Sequence, residues 1–217
     1  MKKVLVIVPC YNAGRHIRKV VGDIKKHNKH ILVVDDGSTD NSYDAIKNIK
    51  GIEVIRHEKN RGKGAALKTG FSYALKNNFD AVITIDADGQ HKAEDIPKFL
   101  TNFDSADIII GNRMNNVGNM PMLRIFANII SSSIVSGICN QQINDSQSGY
   151  RLIKSEILNN MELKRDDYHM ETEILLKAAE KGYTMGDVPI KVAYGGKGTS
   201  HISPVSTLKF FRTIIER

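Results

Sequence analysis

The chain has little of what would cross-link a small secreted protein or anchor one in a bilayer. Its 217 residues include two cysteines, Cys10 and Cys139, which lie far apart and match no metal-ligand spacing. We therefore expect no disulfide framework and a reducing, cytoplasmic location. No stretch approaches the roughly 20 apolar residues expected of a membrane span.

Tryptophan is absent, and aromatic residues make up only 6% of the chain. Proteins that bind single-stranded nucleic acid commonly place aromatic side chains among basic ones, and no such run occurs here. The net charge of +7 nevertheless predicts an anionic partner. We expect a phosphorylated small molecule or an anionic lipid and no nucleic acid, and keep a non-catalytic nucleotide or nucleic-acid binder as the alternative.

Strand and helix patterns alternate through the first half of the chain. The predicted strands are residues 4–8, 31–34, 52–55, 82–85 and 108–110, and the predicted helices are residues 14–27, 39–49, 64–76 and 94–100. This order predicts an α/β fold with a mostly parallel, Rossmann-like sheet and helices on both faces. Length and ordinary composition favour one domain over residues 1–217.

The pattern changes after Met114, which suggests a nucleotide-binding half, 1–114, and an acceptor-binding half, 115–217. The second half is predicted to contain a helix at 123–139, a polar loop through Arg151, a helix near 172–181, a strand near 184–192, a glycine-rich segment and a helix at 205–216. The helix at 123–139 is interrupted by Arg124, Asn128 and serines. We expect it to be amphipathic and to be able to touch a membrane surface.

The most informative stretch reads IDADGQH and follows the predicted strand 82–85. Asp86 and Asp88 are two residues apart, so an extended backbone places both carboxylates on one face. Two converging carboxylates attract a hard cation such as Mg²⁺ or Mn²⁺. Gln90 lies two residues after Asp88, on the same face of an extended chain, and could add an amide oxygen. The alternative is a pair of solvated acids in a turn.

Other predicted strand ends should converge on the same crevice, because the carboxyl ends of parallel strands share one edge. Pro9 and Tyr11 are candidates for one wall of a base slot, and Asp36 for hydrogen bonding to a base or ribose. Tyr11 as a packing residue and Asp36 as a helix cap are the alternatives.

The segment NRGKGAALKTG does not match a Walker A loop, since no Ser or Thr follows its Gly-Lys pair. Lys63 lies at a predicted helix N-terminus, where an anion is favoured. A tight turn with close helix packing explains Gly62 and Gly64 better than phosphate contact does. Arg113, after the fifth strand, and Arg124 are candidates for a phosphate clamp, although each alone is more often a surface charge.

Seven motifs in order resemble the family-2 glycosyltransferases, in the branch that includes dolichyl-phosphate mannosyltransferase and bacterial polyprenyl-phosphate sugar transferases. They are VIVPCYNAG, VVDDGSTDNS, NRGKGAAL, IDADGQH, IIIGNR, DSQSGYR and VPIKVAYGGKGTSHISP. The resemblance implies a glycosyltransferase-A fold, a UDP- or GDP-linked sugar as donor, and Mg²⁺ or Mn²⁺ on its diphosphate.

Together with the candidates above, the resemblance assigns each functional residue a role. The nucleotide-sugar ligands would be Pro9, Tyr11, Asn12, Asp36, Lys63, Asp86, Ala87 and Arg113; the metal ligands Asp86, Asp88 and Gln90; the acceptor ligands Arg124, Ser148 and Arg151; and the catalytic residues Asp88, Arg113 and Asp145. Ser200 and His201 lie where the family has a loop that closes over the donor.

The implied reaction is an inverting displacement at the anomeric carbon, with a polyprenyl phosphate as the expected acceptor. A phosphate with a second pKa of about 6 is already ionised at neutral pH and needs no general base. A saccharide or other hydroxyl acceptor would need one, for which Asp145 is the candidate, unless Asp145 only orders Arg151.

Two departures from the family refine these expectations. The Q-x-x-R-W motif of processive synthases is missing, which argues against a polymerising enzyme. The C-terminal transmembrane helices of many relatives are also missing, so we expect a peripheral protein on the cytoplasmic face of the membrane.

Overall fold

The structure is a computed structural model that describes residues 2–118 and 120–192. The predicted glycine-rich segment and the predicted helix at 205–216 lie outside the described residues, as do Ser200 and His201.

Seven strands of the described chain form one sheet. They are β1 (Val4–Cys10), β2 (Ile31–Asp35), β3 (Glu53–Arg56), β4 (Ala81–Thr84), β5 (Ile108–Asn112), β6 (Arg151–Lys154) and β7 (Met185–Pro189). Their order is β3-β2-β1-β4-β6-β5-β7. Only β6 runs against its neighbours, pairing antiparallel with β4 and with β5. The predicted α/β fold with a mostly parallel sheet is confirmed.

Helices cover both faces of this sheet. They are α1 (Ile17–Ile24), α2 (Ser42–Ile46), α3 (Lys63–Lys76), α4 (Ile96–Thr101), α5 (Met122–Cys139), α6 (Ser155–Asn159) and α7 (Met170–Glu180). Alternate residues of β1 enter opposite hydrophobic clusters, with Val6 in one and Leu5 and Ile7 in the other. A strand buried on both faces must be apolar throughout, which is why β1 reads as a continuous hydrophobic run.

The second half of the chain contains two elements that were not predicted. Residues 155–159 form α6, and the polar loop that was predicted to continue through Arg151 ends earlier, because residues 151–154 form the strand β6. The segment is only four residues long and begins with Arg151, so its pattern does not reveal a strand. Burial is possible because the Arg151 guanidinium donates to the backbone carbonyls of Ser146, Ser148 and Glu171.

Helix α2 begins later than the predicted residue 39. The Asn12 side-chain oxygen accepts hydrogen bonds from the backbone N–H groups of Thr39 at 2.9 Å and Asp40 at 3.3 Å. These bonds tie the end of β1 to the loop before α2, so helical geometry starts only at Ser42.

Helix α5 is long and apolar enough, by length and composition, to cross a membrane, with a mean hydropathy of 1.5. The expectation that no segment would reach this level is therefore wrong, because one arginine and four serines do not outweigh the aliphatic residues around them. The helix nevertheless packs on the domain through buried polar side chains. Asn128 and Ser132 hydrogen-bond Asp145 and Ser146.

The close approach of α3 to β1 yields a stability prediction. A Cβ atom added at Gly70 would lie 2.7 Å from Cγ2 and 2.9 Å from Cδ1 of the buried Ile7. We expect Gly70→Ala to lower the free energy of unfolding by about 1–3 kcal/mol, because the helix must move away from the strand. Urea denaturation measures the change.

Gly22→Ala is the matched control, because a Cβ at this helical position meets nothing within 4 Å. It should leave stability unchanged or raise it by up to about 1 kcal/mol, since alanine favours a helix over glycine. Equal losses in the two variants would contradict the close-contact explanation.

Candidate active site

The carboxyl ends of β2, β1 and β4 lie side by side, because these three parallel strands are neighbours in the sheet. Asp36 follows β2, Tyr11 follows β1, and Asp86 lies just beyond β4. Tyr11 is 47% exposed, so its ring is available to a ligand at this edge. The topology thus brings the predicted nucleotide and metal residues to one side of the sheet.

Lys63, the first residue of α3, lies between two carboxylates. Its Nζ is 2.6 Å from Oδ1 of Asp86 and 2.8 Å from Oε1 of Glu171, which begins the second half of the site on α7. Burial alone would lower the pKa of Lys63, but Asp86 and Glu171 outweigh burial and raise this pKa above its ordinary value. The ammonium is a fixed positive charge at the strand end.

Asp86 keeps its negative charge in this setting. Burial works to raise its pKa, but Lys63 outweighs burial and the pKa lies below the ordinary value for an aspartate. Its second oxygen, Oδ2, lies 3.9 Å from Nε2 of His91. Asp86 is therefore not one of two solvated acids in a turn, as the alternative had it.

Sequence reasoning missed both Glu171 and His91 as members of this site. Burial lowers the pKa of His91, and Asp86 offsets burial only in part, so the imidazole is neutral at pH 7. His91 Nδ1 is buried and has no hydrogen-bond partner among the described residues. His91 directly follows Gln90 in a motif already singled out, whereas Glu171 had no comparable signal in the sequence.

Gly149 fits the backbone of the second half against this charged cluster. A Cβ atom here would lie 2.7 Å from Oε1 of Glu171, 2.9 Å from Nζ of Lys63 and 3.0 Å from Oδ2 of Asp86. Only glycine leaves room for the three charged groups to meet.

Asp88 is exposed, and its Oδ1 accepts a hydrogen bond from the backbone N–H of Gln90 at 2.9 Å. Among residues 2–118 and 120–192, no group of three or more His, Cys, Asp or Glu side chains forms a metal site. The predicted donor set of Asp86, Asp88 and Gln90 consists of two carboxylates and one amide. Such hard oxygen donors suit Mg²⁺ or Mn²⁺, so the residues present fit this ion.

Asp36 organises the loop that precedes α3. It is 2% exposed, and its carboxylate accepts hydrogen bonds from the backbone N–H groups of Arg61 at 3.0 Å and Gly62 at 2.8 Å. Nδ1 of His57 lies 2.6 Å from Oδ1 of the same carboxylate. Asp36 therefore hydrogen-bonds the backbone of the loop before α3 and is not the cap of α2. Its contact with a nucleoside stays a prediction.

Close packing explains the glycines around Lys63, as predicted. Gly62 has a φ of 100°, and a Cβ there would lie 2.3 Å from the backbone oxygen of Asp166. The N–H of Gly64 donates to that oxygen at 2.8 Å. The turn thereby fixes the start of α3 and the position of Lys63.

Arg113 and Asp145 form a two-pronged ion pair. Nε and Nη2 of Arg113 each donate to a different oxygen of Asp145 at 2.7 Å, and the Arg113 backbone N–H donates to Oδ2 at 3.0 Å. Asn128 of α5 donates to Asp145 Oδ1 at 2.7 Å. Asp145 holds Arg113 at the end of β5.

The role of Asp145 as a general base must be corrected. The residue is 0% exposed and both carboxylate oxygens accept hydrogen bonds from the protein. Burial opposes its charge, but Arg113 outweighs burial and the pKa of Asp145 lies below its usual range. In this structure both oxygens accept hydrogen bonds from protein donors, so Asp145 is not placed to take a proton from a hydroxyl. It also orders Arg113, not Arg151.

The predicted acceptor ligands Ser148 and Arg151 also need correction. Ser148 is 0% exposed and Arg151 is 1% exposed. The Arg151 guanidinium is engaged by three backbone carbonyls in the interior, so it stabilises the turn before β6 instead of facing a ligand. This stretch was singled out from the sequence as acceptor-binding, but in the structure both side chains are buried in the interior.

The remaining candidates lie at the same edge or near it. Pro9 is half-buried within β1, Ala87 is buried between the two acids, and Arg124 is half-buried in the first turn of α5. Ligand contacts of these residues, and of Asn12, stay predictions.

The fold and this site define a class of α/β protein. The acidic strand ends suit a divalent ion, and the cations Lys63 and Arg113 suit a diphosphate. The sequence matches the family model "Glycosyl transferase family 2" over residues 5–161, and the chain belongs to this family. It is a nucleotide-sugar glycosyltransferase.

Two curated relatives extend over most of the chain. A UDP-N-acetylglucosamine–dolichyl-phosphate N-acetylglucosaminyltransferase of Methanococcus voltae is 32% identical, covering 89% of this chain and 86% of that protein. A polyprenol monophosphomannose synthase of Mycolicibacterium smegmatis is 29% identical, covering 93% of this chain and 82% of that protein.

A solved structure supports the fold. Glucosyl-3-phosphoglycerate synthase from Mycobacterium tuberculosis, crystallised with Mn²⁺, UDP and phosphoglyceric acid, is similar with a TM-score of 0.76 at 16% identity. The similarity covers 99% of this chain and 78% of that chain. The predicted glycosyltransferase-A fold is confirmed.

The close fit at Gly149 yields a prediction about activity. Gly149→Ala should displace the ends of Lys63, Asp86 and Glu171, which are flexible enough to yield without unfolding the domain. We expect sugar transfer to fall by roughly 100-fold, the cost of a misplacement near 1 Å. The melting temperature should change by no more than about 4 °C, and Gly22→Ala is the control. Full activity in the variant would contradict the assigned geometry.

Proposed function

We propose that this enzyme transfers a sugar, with inversion, from a UDP- or GDP-sugar to a polyprenyl phosphate at a membrane surface. The observation that carries the acceptor assignment is the exposed apolar face of α5, whose opposite face is linked to Arg113 through Asn128 and Asp145. The names of the two relatives support it, since one contains a dolichyl phosphate and the other a polyprenol.

Helix α5 presents large apolar side chains to solvent. Met122 is 64% exposed, Leu123 68%, Phe126 56% and Ile130 60%. Contiguous exposed apolar surface of this kind marks an interaction site, and a helix with one such face suits the boundary between headgroups and acyl chains. We place this face on the cytoplasmic side of the membrane.

The opposite face of α5 ties the proposed membrane contact to the site. Asn128 holds Asp145, and Asp145 holds Arg113. Arg124 lies in the first turn of the same helix. A lipid that enters along α5 would therefore bring its phosphate toward two guanidinium groups, which bind phosphate oxygens well.

The donor would lie across the ends of β1, β2 and β4. Asp86, Asp88 and Gln90 would hold Mg²⁺ or Mn²⁺, and the ion would supply positive charge to the diphosphate leaving group. Lys63 and Arg113 add fixed positive charge at the same edge, which favours departure of the nucleoside diphosphate. Tyr11 would lie against the base.

A phosphate acceptor also fits the state of Asp145. This carboxylate is taken up by Arg113, so the residue proposed as base for a hydroxyl acceptor is not available. A phosphate is already ionised at neutral pH and attacks without a base. A saccharide acceptor is the competing hypothesis within the same family.

An acceptor panel tests the proposal. Purified protein is incubated with Mn²⁺ and labelled UDP- and GDP-sugars, and with either a polyprenyl phosphate or soluble saccharides. We expect label in the lipid fraction with one donor. Transfer to saccharide alone would refute the lipid-phosphate assignment.

Asp88→Ala supplies the inactive variant for this panel. We expect it to lose transfer by about 1000-fold or more, because leaving-group stabilisation is lost, while thermal unfolding stays unchanged since Asp88 is exposed. Asp104→Ala removes an equally exposed acid away from the site and should remain active. Full activity of Asp88→Ala would refute the metal assignment.

A second prediction concerns the apolar face of α5. The double variant Phe126→Ser/Ile130→Ser should bind phosphatidylglycerol vesicles at least about tenfold more weakly, since each buried apolar side chain contributes about 1.5–3 kcal/mol. Vesicle sedimentation measures the loss, and Phe126→Leu is the conservative control. Unchanged binding of the serine variant would place the membrane contact elsewhere.

A further inference from the structure

Lys63 and a metal ion would compete for the same carboxylate, that of Asp86. Its Nζ lies 2.6 Å from Oδ1 of Asp86, the carboxylate that would also hold Mg²⁺ or Mn²⁺. Two cations near one carboxylate repel each other, and the repulsion is stronger where water is excluded. The protein therefore needs a further negative charge if it is to keep both cations.

Glu171 is placed to supply that charge. Its Oε1 is 2.8 Å from Lys63 Nζ, and apart from this ion pair the atom has no hydrogen-bond partner in the described part of the chain. Arg151 donates to the backbone oxygen of Glu171 and so fixes the first turn of α7. Gly149 leaves the space in which Glu171 and Lys63 meet.

The formal charges match when a divalent ion is present. The carboxylates of Asp86, Asp88 and Glu171 carry three negative charges. The Lys63 ammonium and one divalent ion together carry three positive charges. Arg113 is matched by Asp145, so it does not change this sum. Without Glu171, the same pocket would carry an excess positive charge.

We propose that Glu171 is a positioning residue that retains Lys63 when Asp86 binds the metal ion. In the structure Lys63 is shared by two carboxylates. If Asp86 held the ion, the ammonium would keep Glu171 as its partner and would stay at the end of β4. The inference rests on the metal site of the proposed function and adds Glu171 and Lys63 as a pair that controls metal affinity.

A double-mutant cycle on metal affinity tests the pairing. Mn²⁺ is titrated into the full chain without nucleotide, and free Mn²⁺ is followed by electron paramagnetic resonance. Glu171→Gln should weaken Mn²⁺ binding by about 10–100-fold, which is the usual effect of mutating a residue that supports a metal ligand. Lys63→Met should strengthen binding, because the competing cation is gone. In the Lys63→Met background, Glu171→Gln should cost clearly less than in the wild-type background.

Glu180→Gln is the matched control, because it removes the same charge from the exposed end of α7, about 13 Å further along the helix at 1.5 Å per residue. It should leave Mn²⁺ affinity unchanged, and circular dichroism should report the same fold for all variants. Equal losses from Glu171→Gln in both backgrounds, or no loss in either, would overturn the pairing alone. Wild-type protein that binds no Mn²⁺ would overturn the proposed metal site and the pairing together.

Discussion

Charge compensation at the carboxyl edge of the sheet is the constraint on which the site depends. Ionised groups removed from water are costly unless each has an opposite charge or a set of dipoles within reach. Lys63 forms ion pairs with two carboxylates, and Asp145 forms one with Arg113. The Arg151 guanidinium donates hydrogen bonds to backbone carbonyls. The ion pairs Lys63–Glu171 and Arg113–Asp145 join the first and second halves of the chain.

Much of the fold follows from local pattern. The apolar runs of β1, β2 and β4 are buried on both faces, so composition alone marks them as interior strands. Strand β6 could not be found in this way, because four residues that begin with Arg151 carry no periodic signal. Its burial depends on carbonyl groups contributed by residues 146, 148 and 171, which only tertiary structure brings together.

The site shows the same division. Position after a strand drew attention to Asp86 and Arg113, and position at a helix N-terminus drew attention to Lys63. The structure brings Lys63 and Asp86 into contact. Sequence could not distinguish side chains that face the crevice from those that build its walls. Asp145, Ser148 and Arg151 belong to the second kind, and Glu171 entered the site from a helix with no motif of its own.

The reversed strand β6 also affects how the chain folds. Among the described strands, β6 covers the edge of β4 and joins it to β5, and β7 pairs with the other side of β5. During synthesis, a nascent chain that ends before residue 151 therefore carries an uncovered β4 edge and a β5 with no partner. Such edges pair readily with other chains. The described sheet is therefore complete only once β6 and β7, which end at Lys154 and Pro189, have been synthesised.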